Sequence, residues 1–225
     1  MRLDDGFEMC DRIVVNVCIL LLHQQIKCRT STYSSTMYDL LRKYFTDRTT
    51  IDDATFATIC QHCQLVKAKR NEMLLMQGEI CRYYYFVNKG CIRLFTLNSD
   101  GQEATRYFAF EGAFGSALPS LIQQKPAFEF VQAVEKSELL AFGRDDFFML
   151  ASTVPQVGLI YRQILEAAFI TAQERIYGFQ GLSALEKLRW LLAYQPNILT
   201  RLSNKMVASF LGVTPFTLSR LKAEL

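Results

Sequence analysis

Histidine is almost missing from this chain. Two residues in 225, His23 and His62, leave general-base chemistry without its usual carrier. There is also no serine-histidine-acid set, no glycine-rich phosphate loop and no zinc-protease histidine pair, so the sequence points away from an enzyme and no catalytic residue is assigned. The carboxylate pair Asp145 and Asp146 sits at a predicted helix start, where acids meet the positive end of the helix dipole. Charge of one sign is scarce in excess. A net charge of +3 permits a nucleic-acid partner only through local clustering. Long apolar runs are lacking too: residues 13–22 are broken by Asn16 and fall short of the roughly 20 needed to span a bilayer. The acids Asp4, Asp5, Glu8 and Asp11 ahead of that run are wrong for an export signal. Seven cysteines, odd in number and scattered, form no disulfide framework, so reduced thiols, a cytoplasmic location and no membrane partner are expected.

Cys60, His62 and Cys63 are the one group that invites a metal. The spacing of Phe56, Ile59, Cys60 and Cys63 predicts a helix over 50–66, on which His62 projects away from both cysteines. The three donors then do not converge on one ion. No metal and no cofactor is assigned.

Half of the residues are hydrophobic, enough for one medium domain and a small one. Residues 1–36 are read as an N-terminal extension ahead of a second start at Met37, contributing little to the fold. After Arg70 the rhythm turns to short aromatic and β-branched runs at 73–76, 83–87, 91–97, 104–110, 128–134 and 139–142, which predict strands. Turn chemistry separates them, as in Asn88-Lys89-Gly90 and Asn98-Ser99-Asp100-Gly101, and the near-regular spacing predicts a sandwich, jelly roll or barrel. A short helix opens at Arg144 and a long one at Pro155. Along the long helix Val157, Ile160, Ile164, Ala167 and Thr171 alternate by three and four, the spacing either of a dimer seam or of a helix packed on its own chain. Gly178 and Gly181 are expected to break it and act as a hinge. Ser183 and Glu186 then form a capping box for a helix over 184–194.

The last stretch reads as two short helices joined by a glycine turn. Ser203 caps the first, Met206, Val207, Phe210 and Leu211 form its apolar stripe, and Gly212 ends it. Thr214 and Pro215 start the second, with Leu218, Leu221 and Leu225 inward and Phe216, Thr217, Ser219, Arg220 and Lys222 outward. In a helix-turn-helix the second helix enters the major groove. Arg201, Lys205, Arg220 and Lys222 against the single acid Glu224 supply the local positive charge.

The run Gly78-Glu79, Tyr85 to Gly90, Cys91 to Leu94, Asp100 to Glu103 and Ala208 to Arg220 resembles the Crp/Fnr superfamily of transcription regulators over about residues 38–225, and is most similar to short Bacteroidetes-type members. The resemblance implies an α+β chain: an antiparallel cyclic-nucleotide-binding-like β-roll (37–153), a dimerisation helix (154–178) built on the five residues named above, and a helix-turn-helix domain (179–225). Too few residues follow Arg220 for a full wing, which is expected to be truncated or absent. Cyclic-AMP-binding relatives hold the nucleotide with a carboxylate and an arginine-serine pair. At the corresponding positions this chain has Ser116, then Ala127 and Phe128, so the phosphate charge would be buried uncompensated. An effector other than cyclic AMP is therefore expected, in a pocket lined by Gly115, Ser116, Leu118, Phe128 and Gln173. Arg220, Thr217 and Phe216 are expected at or near base edges, with Phe216 in place of a glutamate, and Ser219, Lys222, Lys205 and Arg201 on phosphates. The implied partners are double-stranded DNA, a second copy of the chain, a small-molecule effector and RNA polymerase. The rival reading is a small-molecule sensor or protein-interaction module of the same architecture without DNA binding.

Overall fold

The computed structural model describes residues 37–225, so the reading of residues 1–36 lies outside the described residues. Helix α1 (Asp39–Thr46) buries Leu41 and Phe45. Helix α2 (Asp53–Gln61) starts where the Asp52 carboxylate accepts the Thr55 N–H at 2.8 Å, a cap that satisfies an otherwise unpaired donor. The helix expected to reach residue 66 stops at Gln61. Residues Cys63–Ala68 form strand β1 instead, antiparallel to β8 (Ser137–Gly143), with Leu65 opposite Leu140. Two sequence-distant edges gain a ladder of hydrogen bonds this way, which outweighs the local helical spacing.

Between them lie β2 (Met73–Leu75), β3 (Tyr83–Lys89), β4 (Ile92–Leu97), β5 (Glu103–Ala109), β6 (Phe114–Gly115), helix α3 (Leu118–Gln123) and β7 (Phe130–Ala133). Two four-stranded sheets result, in the orders β1-β8-β3-β6 and β2-β7-β4-β5, with every pairing antiparallel. The expected roll is present. Phe86, Ile92, Leu94, Leu139 and Leu140 are fully buried in it, and Tyr44, Phe86, Phe114, Phe142 and Phe147 add a run of ring contacts with centroids about 5–6 Å apart.

Turn glycines divide by what surrounds them. Gly90, between β3 and β4, has φ +94, and a Cβ there would meet Ser137 Oγ at 2.4 Å and Lys136 O at 2.9 Å; Gly212 has φ +70 and open space. Gly90→Ala is therefore expected to destabilise by about 2–3 kcal/mol, backbone strain plus clash, and Gly212→Ala by about 1 kcal/mol. Urea melts of the two variants check the ordering.

Helix α4 (Arg144–Thr153) carries Asp145 and Asp146 in its first turn. Helix α5 (Pro155–Gly181) continues through Gly178, which accepts the Leu182 N–H at 2.8 Å, and ends on Gly181. One interior glycine costs a long helix only about 1 kcal/mol, so of the two expected breaks only Gly181 stands at the helix end. Val157 and Ile160 are 4% and 2% exposed, packed within their own chain, where α5 lies on α4. They are core and not seam residues. Ile164 and Thr171 are half-buried, and Ala167 is exposed. The open apolar stripe lies elsewhere on α5: Leu165, Phe169, Ala172 and Ile176, spaced four, three and four, with Phe169 65% and Ile176 50% exposed.

The chain ends in α6 (Ala184–Tyr194), α7 (Ile198–Arg201), α8 (Asn204–Leu211) and α9 (Pro215–Lys222). The capping box at Ser183 and Glu186 is made in both directions. Leu188, Leu191, Val207, Phe210, Leu211, Leu218 and Leu221 pack into one cluster that continues into the roll through Cys91, Phe108, Phe110 and Val134. Leu225, expected inward, is 56% exposed because α9 stops at Lys222.

Candidate nucleic-acid interface and effector region

Helices α8 and α9 form a tightly specified pair. Ser203 Oγ accepts the Met206 N–H at 3.3 Å, Gly212 takes the left-handed conformation that closes α8, and Thr214 Oγ1 accepts the Thr217 N–H at 3.0 Å. Pro215 follows at the first helical position, where its missing N–H costs nothing. With Leu218 and Leu221 buried inward, α9 turns outward Phe216, 73% exposed, together with exposed Ser219, Arg220 and Lys222.

The polar groups of this face differ in how they are engaged. Thr217 is half-buried and its hydroxyl lies 2.9 Å from Thr214 Oγ1, which ties it to the cap. Ser219 Oγ donates to Pro215 O at 3.0 Å and Lys222 Nζ to Asn204 Oδ1 at 3.2 Å. Arg220 makes no ion pair among the described residues and points its charge at solvent.

Arg201 and Lys205 are placed differently from the expectation. Arg201 donates to both Glu111 oxygens at 2.8 and 3.0 Å and pairs with Glu135, while its guanidinium lies over the Phe110 ring at 4.8 Å. Its hydrogen bonds to Glu111 hold it charged, above the usual arginine range, against the opposing effect of burial. Lys205 Nζ donates to Glu103 Oε1 at 2.8 Å, and the other Glu103 oxygen accepts from Arg93 Nη1 at 2.6 Å. Burial pushes the Glu103 carboxyl up, but the hydrogen bonds from Arg93 and Lys205 outweigh it and the group stays below its usual range. Two of the three cations expected on phosphates are thus held by carboxylates of the roll. Sequence reasoning missed those carboxylates, because Glu111 and Arg201 stand 90 residues apart and no local spacing links them.

The expected effector residues stand in different surroundings. Ser116 Oγ donates to Tyr83 O at 2.8 Å and lies 3.2 Å from Cys81 Sγ. A Cβ on buried Gly115 would meet Ile92 Cδ1 at 2.8 Å, so the two sheets touch there. Phe128 is 82% exposed, Leu118 is half-buried at the start of α3, and Gln173 is half-buried on α5. A cavity of about 40 Å³ lies instead where roll, long helix and C-terminal helices meet, among Phe108, Thr171, Arg175, Trp190, Tyr194 and Phe210. It has room for about three water molecules. Burial, with Arg106 nearby, pulls the Arg175 guanidinium down to about 10.

The cysteine-histidine group also departs from its predicted geometry. His62 caps α2 and sets Nδ1 2.9 Å from Asp146 Oδ1, while Cys63 opens β1 and donates from Sγ to Cys60 O. Burial pushes the Cys60 thiol up to about 11 and the Cys63 thiol up to about 12, whereas a metal ligand needs the thiolate. Among the described residues no group of three or more histidine, cysteine or carboxylate side chains is placed to hold a metal ion. No described helix is long and apolar enough to cross a membrane.

Comparison with known proteins agrees with this architecture. Residues 65–153 match the cyclic nucleotide-binding domain. No curated protein sequence matches the chain. Among solved structures the chain is similar to FixK2 from Bradyrhizobium japonicum, with a TM-score of 0.64 at 19% identity over 72% of this chain and 84% of that one. It is also similar to the c-di-GMP-responsive global regulator CLP of Xanthomonas campestris, with a TM-score of 0.63 at 14% identity over 77% and 91%. A chain from Eubacterium rectale assigned to the crp/fnr family of transcriptional regulators gives 0.62 at 16% identity over 84% and 86%. Residues 65–153 are accordingly similar to the cyclic nucleotide-binding domain, in a chain that shares the fold of these solved regulators, the crp/fnr-type chain among them.

Proposed function

We propose that the chain is a homodimeric, sequence-specific DNA-binding transcription regulator and not an enzyme. The observation that carries this reading is the α8–α9 pair: two capped helices around a left-handed glycine, with Arg220, Lys222, Ser219 and Phe216 on one outward face. Such a face suits a major groove, where an arginine reads guanine and an apolar ring meets a thymine methyl.

Leu165, Phe169, Ala172 and Ile176 support the dimer. Their four-three-four spacing on one helix face is that of a coiled-coil seam, and a twofold axis along it would present two α9 helices to successive major-groove faces about 34 Å apart. The effector is a molecule other than cyclic AMP. Ser116, Ala127 and Phe128 supply neither the carboxylate that would take the ribose hydroxyl nor the cation that a cyclic phosphate needs, and the Ser116 hydroxyl already donates to Tyr83 O.

Arg220→Ala is expected to weaken binding to the chain's preferred duplex by about 1–3 kcal/mol and to relax preference at one base pair, whereas Lys222→Ala weakens all sequences alike. Titration of selected and random duplexes measures both. An equal loss on the two duplexes in the Arg220 variant would remove its base-reading role.

A further inference from the structure

We propose that the roll carries an acidic clamp that holds the helix-turn-helix in a closed, DNA-refractory position, and that DNA binding requires its release. The proposal rests on the DNA-binding reading above. Its parts come from both sides of one junction. From the roll, Glu111 follows β5, Glu135 lies between β7 and β8, and Glu103 opens β5; from the C-terminal helices, Arg201 ends α7 and Lys205 lies in the first turn of α8. Arg201 is forked onto Glu111 and also meets Glu135, and Lys205 meets Glu103.

Neutral contacts hold the same edge. Thr105 Oγ1 and Ser209 Oγ are 2.6 Å apart, and the Phe108 and Phe210 rings are 5.6 Å apart. Glu103 is fixed from behind by buried Arg93, whose Nε also donates to Gln132 Oε1 at 2.7 Å. The line Gln132, Arg93, Glu103, Lys205 therefore runs from the middle of one sheet to the first helix of the pair.

The consequence for DNA follows from charge. Each cation that would neutralise a phosphate here already faces a carboxylate, and a phosphate approaching Arg201 would also meet Glu111 and Glu135 at close range, where like charges repel. Two phosphate contacts per protomer are withdrawn while the clamp is shut. Opening it would restore them, and with them counterion release, worth about 0.9 of log-log salt slope per contact, or about 1.8 per protomer.

Two measurements test this. In Thr105→Cys/Ser209→Cys, with the cross-link verified by intact mass, oxidation locks the clamp without changing net charge. The oxidised protein is expected to bind a mixed-sequence 30-base-pair duplex (a length of about three turns) at least about tenfold more weakly than the reduced one, with the salt slope smaller by about 1.8 per protomer. Equal affinity and slope in the two states would overturn the clamp. In Glu111→Gln/Glu135→Gln, which keeps an acceptor for the Gly90 amide that Glu111 binds, hydrogen exchange of α8 amides without DNA is expected to quicken about tenfold. Unchanged exchange would overturn the clamp irrespective of DNA. Quickened exchange in a protein that binds no duplex, oxidised or reduced, would instead overturn the DNA-binding reading.

Discussion

A chain carrying Phe169→Asp and Ile176→Asp together is expected to sediment as a folded monomer and to bind its preferred duplex at least about 100-fold more weakly. Both side chains are largely exposed within one protomer, so the substitutions cost the monomer little. Across a twofold seam each appears twice, and four carboxylates would then be forced into an apolar contact where burying each charge costs several kcal/mol. Losing the dimer loses the second half-site, and with it the intramolecular advantage that makes two weak contacts one strong one. The matching control is Ile160→Asp. That side chain is 2% exposed inside its own chain, so the variant is expected to lose stability by about 3–5 kcal/mol. Sedimentation together with thermal melts separates the two outcomes. A folded, still dimeric Phe169/Ile176 variant would place the seam on another face of α5.

Arg93→Met is expected to be the most destabilising single change in the roll that leaves the apolar core intact, by about 3 kcal/mol. Arg93 is 3% exposed, donates to Glu103 and Gln132, and stacks its guanidinium over Phe95 at 4.1 Å. Its removal leaves Gln132 Oε1 without that donor and Glu103, whose side chain is 17% exposed, held by Lys205 alone. The pH dependence follows from the direction of the Glu103 shift. Its folded-state carboxyl is held below the usual value of 4.5, so the associated stability is fully present above that value and is lost as pH falls through the depressed one. The gap between wild type and Arg93→Met is therefore expected to be largest near about pH 7 and to narrow on acidification. Urea melts across that range measure it. A gap that does not change with pH would mean that Arg93 acts through packing alone.

Where the chemistry is local, the sequence carried the structure on its face. A hydroxyl ahead of Met206, a threonine-proline pair ahead of Phe216 and a serine three residues before Glu186 each satisfy backbone donors within one turn, and each helix starts where those residues stand. The aromatic runs between turn residues likewise became strands. Misreadings arose where distant parts of the chain compete. Cys63 to Val66 fits a helical stripe with Phe56 and Ile59, but its partner β8 lies more than 70 residues away and offers a sheet edge. On α5 two apolar stripes share one helix. Spacing drew attention to the stripe through Val157 and Ile160, and only packing shows that these two serve the protomer while Phe169 and Ile176 stay open. The same holds for charge. Arg201 and Lys205 read as free cations, and their carboxylate partners became visible only when the roll and the C-terminal helices were brought together. Where an effector would sit is likewise not a local property: it depends on what the sheets leave empty, and at Gly115 they approach closely.

The proposed function requires that paired copies of α9 bind duplex DNA through its phosphates and base edges. Equilibrium titration of the purified dimer with a duplex of about three turns, at salt concentrations from about 50 to 200 mM, tests it most directly. Log K is expected to fall linearly with log salt, with a slope magnitude of several units set by Lys222 and, once the clamp opens, by Arg201 and Lys205. A dimer that ignores the duplex at the lowest salt, or binds it with no dependence on salt, would contradict it.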